Sequence, residues 1–490
     1  MVFSNAIFLL WFMPLTGIIY YLIPNKFIKV KNLWLLGMSL IFYAWGEPVY
    51  VLLMIASIVA NYIFGRIVSK YPKSKKGRTV VAIACIYNLG QLFVFKYLSW
   101  ILGNIGLLIG KGYALGSMIQ LALPIGISFY TFQALSYVID VYRGKDKAQT
   151  NVLNVGLYIA FFPQLIAGPI VRYGSIAEQL LHREHSFKKF SDGVWRFCIG
   201  LSKKVLLANQ LAVVADKAFA AQGSELSVVF AWAGAFSFML QIYFDFSGYS
   251  DMAIGLGKMF GFEFSENFNY PYISRSISEY WRRWHISLGE WFRDYLYYPL
   301  SLGPAIKIRK YWAGKTNRKT AGIISTAFVL FIVWMATGVW HGANWTFVVW
   351  GLLQFTFLFW EQYRKPLKNK RLGAVIGWIT TILVIIVTKV IFKSDNMSHA
   401  MRYYASMLHL NGNVFLDAAA KYWIGQYKVI LIAGTIFAFP VVETITKHIT
   451  NGVVKQVWNW FRTAAMACML VLCIAYAISG GYNPFIYFNF

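Results

Sequence analysis

From Ala321 to Trp340 no residue carries a charge, and none does from Asn344 to Trp360. Runs of this length constrain the fold more than any other feature of the chain. A helix needs about 20 predominantly apolar residues to cross the hydrocarbon of a bilayer, and comparable runs recur along the sequence. With 490 residues, 58% hydrophobic, 18% aromatic and only 13% charged, the chain has too little polar surface to wrap a soluble core of its size. The expected class is therefore all-α: a polytopic integral membrane protein of about eleven spans.

The net charge of +27, from 46 Lys and Arg against 19 Asp and Glu, does not point to nucleic acid. The basic residues cluster in short loops between apolar runs, as positive-inside topology requires, and they do not form one face of a soluble domain. Arg66 to Arg78 is such a loop, as are Lys307 to Lys319 and Arg364 to Arg371, and all three are expected on the cytoplasmic side. The bilayer, with its anionic headgroups, is the first partner implied. Cys85, Cys198, Cys468 and Cys473 lie in apolar stretches without zinc-ligand or CxxC spacing and read as small packing residues.

In chain order, Ala6 to Ile23 reads as a retained first span. Leu33 to Trp45 and Val49 to Gly65 follow, then Val80 to Trp100. Leu121 to Val141 carries Pro124 and Gly126, and Val152 to Ile170 carries Pro163, Gly168 and Pro169. Both are expected to be broken or re-entrant and to line a cavity, because proline frees backbone groups that must be satisfied at membrane depth. Val228 to Met259, Gly373 to Phe392, Val429 to Val442 and Ala464 to Ser479 are further runs, and Ser398 to Leu410 reads as a surface helix with Met401, Tyr404, Ala405 and Leu408 on its apolar side. No fixed-period repeat or low-complexity linker divides the chain, so residues 1–490 are read as one domain.

Three polar features stand out. Arg172 to Lys204 is strongly basic and includes His182 and His185, which read as solvated, and no metal site is expected there. Asp245 and Asp251 lie in an aromatic stretch, where pairing with a neighbouring arginine is the expected account. Asn267 to Leu300 is both charged and aromatic. As one helix from about Ser276, it places Trp281, Trp284, His285, Leu288, Trp291, Phe292 and Tyr295 on one face. Glu279, Arg282, Arg283, Glu290, Arg293 and Asp294 form the other, an arrangement suited to an interface or a wet wall.

The remaining signal is His341, the one ionisable group in the hairpin made by the two uncharged runs. An ionisable side chain at membrane depth is a functional hypothesis by default. Imidazole, with an ordinary pKa of about 6.5, accepts and returns a proton near neutral pH.

His285 and His341, taken with their surroundings, identify the chain as resembling the membrane-bound O-acyltransferase superfamily, and its alginate O-acetyltransferase type of branch in particular. The blocks that carry the resemblance are LPIGISFYTFQALSYVIDVYRG from Leu123, FFPQLIAGPIVR from Phe161, QIYFDFSGYSDMAIG from Gln241, YWRRWHISLGEWFRDYLYYPL, TGVWHGANWTFVVWG and the aromatic ending PFIYFNF. The resemblance implies a helical fold around a tunnel, with His341 as the essential histidine and His285 as the second of the pair. It implies transfer of an acetyl or similar short acyl group from a cytoplasmic thioester, acetyl-CoA or an acyl-carrier thioester, with no permanently bound cofactor. The acceptor is a polysaccharide or an extracytoplasmic esterase-like (SGNH) partner, and the location is the cell membrane.

The residues are suited to that chemistry. A hydroxyl attacking a thioester must lose its proton, which a neutral imidazole accepts. His341 is the candidate base, with His285 orienting it or polarising the carbonyl, and an acyl-histidine is a second route. Trp340, Asn344 and the backbone at Gly342 are candidates to meet the oxyanion. Arg282 and Arg283 are candidates for a donor phosphate, and Asp294 joins them as a candidate substrate contact. Two other short readings remain: D-alanyl transfer to teichoic acid, and transport of a polysaccharide or lipid-linked sugar.

Overall fold

The computed structural model describes the chain except residues 111, 119–120, 222, 365–368 and 485–490, together with the side chain of Ala114. The aromatic ending after Pro484 and the loop residues Lys365 and Lys368 therefore lie outside the described residues. Among those described, the structure is helical throughout. Eight helices are long and apolar enough to cross a membrane: Asn25–Gly46, Tyr50–Ser69, Lys75–Leu108, Phe187–Ala220, Val228–Met259, Arg318–His341, Lys370–Lys393 and Gly452–Ile478. A ninth is obtained if Ala418–Phe437 and Val441–His448, bent by 57°, count as one span.

The described residues thus give eight or nine spans rather than eleven, for reasons that trace to particular residues. Phe8–Leu22 is too short to be counted. Gly126 starts the helix Ile127–Arg143 at a left-handed φ of 74°, where a Cβ would also fall 2.7 Å from the Leu165 carbonyl oxygen. The prolines split the next run into Val152–Ala160 and Phe162–Leu165. These broken pieces are packed in protein, with every residue from Asn154 to Val171 buried. Their polar groups find side-chain partners: the Phe162 N–H donates to Ser39 Oγ (3.1 Å), Gln164 Nε2 donates to the Tyr158 carbonyl (2.6 Å), and the Tyr158 hydroxyl donates to the Val171 carbonyl (3.0 Å). The cavity expected from the prolines is thus replaced, for these groups, by side-chain hydrogen bonds.

One span was not expected. Phe187–Ala220 runs as 34 residues through the end of the basic stretch. Lys204 sits within it because Asp245 lies 2.6 Å away, both side chains being almost wholly buried. Asp251 meets Arg196 at 2.6 Å, as expected of an acid in that stretch. His182 is exposed, whereas His185 is half-buried with Nε2 2.7 Å from the Tyr20 hydroxyl. Burial and the neighbouring Lys31 and Arg183 lower the His185 pKa to about 4.

The described residues fall into two compact units. Of the described residues, the first comprises those within 1–202, 248–265 and 468–481, and the second those within 203–247, 266–467 and 482–484. The first unit holds a cleft of about 710 Å³ lined by Lys26, Glu178, Arg183 and Lys189 among others, and no candidate site residue lines it. In the second unit, the surface helix is Met397–Met407. It buries Ala400, Tyr403 and Met407 and exposes Met401 and Leu408, one register step from the expected side. Tyr403 fixes that register by stacking on Phe219, with centroids 4.2 Å apart.

The Lys204 and Asp245 pair gives a stability test. Removing one member of a buried ion pair costs about 3–5 kcal/mol, because the remaining charge loses its counter-charge. Lys204→Met is expected to lower the unfolding temperature of the detergent-purified protein markedly, and Lys204→Met with Asp245→Asn to recover a large part of the loss.

Candidate active site

The hairpin that carries His341 is set by two glycines. A Cβ on Gly338 would fall 2.5 Å from the Phe347 carbonyl oxygen, and one on Gly351 would fall 2.6 Å from that of Trp334. With no room for a side chain at either position, Arg318–His341 and Trp345–Tyr363 approach backbone to backbone. Asn344 closes the turn: its Oδ1 accepts from the Thr346 N–H (3.1 Å) as the cap of the second helix, and its Nδ2 donates to the Asp395 carbonyl (2.7 Å).

At the tip, His341 is 5% exposed. Its ring lies 4.9 Å from Trp340, 5.0 Å from Trp350 and 5.0 Å from Phe392, centroid to centroid, all edge to face. Phe347 is 6.3 Å away. The imidazole is therefore walled by aromatic rings.

His285 reaches the same cluster because the expected continuous helix is broken. Ile277–Arg283 ends, Trp284 is extended, and His285 takes φ 46° and ψ 54° before Ile286–Phe292 begins. A left-handed conformation is unfavourable for a residue with a Cβ and persists only where the surroundings hold it. Asn267 does this: its carbonyl accepts from the Ile286 N–H (2.9 Å), and its Oδ1 accepts from the Ser287 N–H (3.2 Å) and hydroxyl (2.9 Å). The same Oδ1 lies 3.1 Å from His285 Nδ1. The Ser287 amide is a donor, so the atom facing it is the carbonyl oxygen, and His285 must hold its proton on Nδ1. The lone pair is thereby placed on Nε2.

Trp340 stands between the two histidines, 6.1 Å from His285. Phe246 packs edge-on against the His285 ring at 4.6 Å. His285 lies outside the eight long helices, and burial lowers its pKa to about 3, so it is neutral at physiological pH.

The broken segment is clamped onto the hairpin. Glu361 accepts from the Ile277 N–H (2.6 Å) and the Ser278 N–H (3.2 Å), setting a carboxylate at a helix N-terminus. Trp281 Nε1 donates to Gln354 Oε1 at 3.1 Å. Other candidates are placed elsewhere. Arg282 is exposed, Arg283 pairs with Glu279 at 3.0 Å and donates to the Asn269 carbonyl, and Asp294 lies 3.1 Å from Arg293. The structure thus brings together His341, Trp340 and His285, sets Asn344 in the turn beside them, and leaves Arg282, Arg283 and Asp294 on the charged side of their segment.

The model of the membrane-bound O-acyltransferase family matches residues 147–393, the stretch that holds this cluster. A "Probable alginate O-acetylase AlgI" of Pseudomonas putida is 36% identical over 506 residues, spanning the whole of both chains. One of the same name from Azotobacter vinelandii is 41% identical over 409 residues, 83% of this chain and 78% of the relative. The chain belongs to the membrane-bound O-acyltransferase family. A "Peptidoglycan O-acetyltransferase" of Helicobacter pylori is 29% identical over 535 residues, 100% of this chain and 98% of its own length.

Within the segment that the family model matches, two polar residues escaped the sequence reading. Asn267 opened a stretch read mainly for its charges and rings, and nothing local marks a side chain that orients another 18 positions on. Lys389 was detectable: it is a charge inside the run Gly373 to Phe392. The argument applied to His341 applies to it equally. Its side chain is almost wholly buried, with Nζ 4.5 Å from the Phe392 ring centroid.

Two outcomes follow from His285. Asn267→Leu keeps the branched shape, with somewhat more bulk, but removes the acceptor of three donors; activity is expected to fall about 10- to 100-fold while the protein still accumulates. The unfolded chain also takes up the His285 proton near pH 6.5 whereas the folded one does so near 3, so stability falls as pH drops from about 6.5. Acid unfolding followed by tryptophan fluorescence is expected to show a shallower fall between pH 6.5 and 4 in His285→Gln.

Proposed function

We propose that this chain moves an acetyl or similar short acyl group from a cytoplasmic thioester to an extracytoplasmic acceptor, with His341 as the general base. The supporting observation is the pairing of two buried imidazoles about Trp340, inside the segment that matches the family model. The names of full-length relatives, alginate O-acetylase and peptidoglycan O-acetyltransferase, favour acetyl as the group and an exported polysaccharide as its destination. Alignment along the whole of those O-acetyl relatives also weighs against D-alanyl transfer to teichoic acid.

In this reading, neutral His341 takes the acceptor's proton as its oxygen attacks the thioester carbonyl. The tetrahedral intermediate collapses, the C–S bond breaks, and the imidazolium returns the proton to the departing thiolate. His285, held neutral with Nε2 as its acceptor atom, orients Trp340 and the reacting groups and carries no proton through the cycle. Low dielectric around the rings strengthens each polar contact made during the step. The donor is acetyl-CoA or an acyl-carrier thioester, reaching His341 through a tunnel from the cytoplasmic face. The acceptor is the polymer itself or an extracytoplasmic SGNH-type, esterase-like partner that passes the group on. The cell membrane is the site of action.

The test is the acyl content of the exported product in strains carrying His341→Ala or His285→Ala, with protein level checked. Loss of a positioned base lowers a rate about 10² to 10⁴-fold, and His341→Ala is expected to fall in that range. A transporter reading predicts loss of the polymer rather than of its acyl groups, and full acylation in both strains would refute the enzymatic reading.

A further inference from the structure

Lys389 is 3% exposed, and its amine faces rings on three sides. Nζ lies 4.5 Å from the centroid of Phe392, 4.8 Å from Trp284 and 5.9 Å from Trp350. Two of those rings, Phe392 and Trp350, are also walls of His341, each 5.0 Å from the imidazole. Trp284 immediately precedes His285, and its ring packs edge-on against Phe268 at 5.1 Å, which in turn lies 6.5 Å from the His285 ring. The amine is therefore built into the same aromatic cluster as both histidines.

Three other basic side chains in the long helices are matched by acids, and the buried Lys31 donates to Asn25 Oδ1 at 2.7 Å. Lys204 has Asp245 at 2.6 Å, Arg196 has Asp251 at 2.6 Å, and Lys393, one turn beyond Lys389, has Asp216 at 2.5 Å. Among the described residues no carboxylate pairs with Lys389 and no hydrogen-bond acceptor meets it. Aromatic faces favour a cation through their quadrupoles but supply no counter-charge, so the charged amine finds a counter-charge there only in an anion from outside the protein. Trp350, 1% exposed on the shared wall, carries an indole N–H that has no acceptor among the described residues. Two donors lacking acceptors among the described residues thus belong to, or pack against, the rings that wall the proposed base.

We propose that Lys389, assisted by the Trp350 N–H, is the group that receives the oxyanion of the acyl-transfer intermediate. The inference rests on the acyl-transfer reading of His341. As the acceptor oxygen bonds to the carbonyl carbon and its proton passes to His341, the C=O π pair moves onto oxygen, and the ammonium of Lys389 meets that charge. The C=O bond then re-forms, the C–S bond breaks, and the thiolate takes the proton from His341. Lys389 gives up no proton and forms no bond. Its sharing of wall rings with the base accords with what the step requires, since the charge develops on an atom bonded to the carbon under attack.

The experiment measures acyl content of the exported product in strains with Lys389→Met, Lys389→Arg, Trp350→Phe and His341→Ala, with protein level and unfolding temperature recorded. Methionine keeps the packing among the rings and removes the charge, so Lys389→Met is expected to fold as wild type and lose about 10² to 10³-fold in rate. Lys389→Arg is expected to retain more than a tenth of the activity, and Trp350→Phe, which removes the N–H together with part of the ring, to lose at least about tenfold. In membranes from the same cells, the Lys389→Met loss is expected to be equal with acetyl-CoA and with S-acetylpantetheine, which has no phosphate. A loss seen with acetyl-CoA alone would make Lys389 a phosphate contact and overturn the assignment. Near-normal acylation in Lys389→Met beside an inactive His341→Ala would also overturn it. Full acylation in His341→Ala would remove the underlying reading instead.

Discussion

A polar group carried into hydrocarbon has no water to turn to, and the chain itself must supply what water would have supplied. Much of the internal architecture follows from that constraint. It explains why Ser39, Gln164 and Tyr158 cluster where prolines interrupt the helices. It also explains why Lys204 and Arg196 are opposed by Asp245 and Asp251 in otherwise apolar surroundings. Such pairs offset the cost of burial without adding much net stability, so their value lies in fixing which helix faces meet.

The same constraint makes exceptions informative. His285 is held by Asn267 in a backbone conformation that a side chain with a Cβ rarely adopts. That strain is unnecessary for simple packing, since a continuous helix from Ser276 would have buried the same aromatic face. The break turns the imidazole from the side of a helix to the joint between two, where Trp340 is its neighbour. Strain held in place by several hydrogen bonds at a cluster of titratable groups is the pattern expected of a preorganised site.

Legibility from sequence followed the range of the interactions. Uncharged length marked most spans, and a single charge in the hairpin marked His341. His285 needed the order of several blocks, because a lone histidine among tryptophans has no local signature. The Phe187–Ala220 span was hidden by Lys203 and Lys204, and the burial of Lys204 depends on a carboxylate some forty positions away. The surface helix Met397–Met407 was placed one step out of register because Tyr403 is drawn inward by Phe219, a contact no periodicity shows. Lys389 was a different kind of miss: its charge was visible, and the surrounding hydropathy masked it.

The arrangement of charge around the two histidines sets a division of labour. A base that cycles between neutral and protonated forms needs neighbours that do not compete for its proton. His285 meets that condition, since burial keeps it neutral and the Asn267 acceptor holds its proton on Nδ1. The aromatic rings meet it as well, having no basic site. On the proposed reading, the charged form of Lys389 opposes protonation of the resting imidazole and is itself favoured at the moment when negative charge appears beside both groups. In the proposed mechanism the imidazolium and the oxyanion form together, which would tie proton removal to attack on the carbonyl and protect a thioester from being activated before its acceptor has arrived.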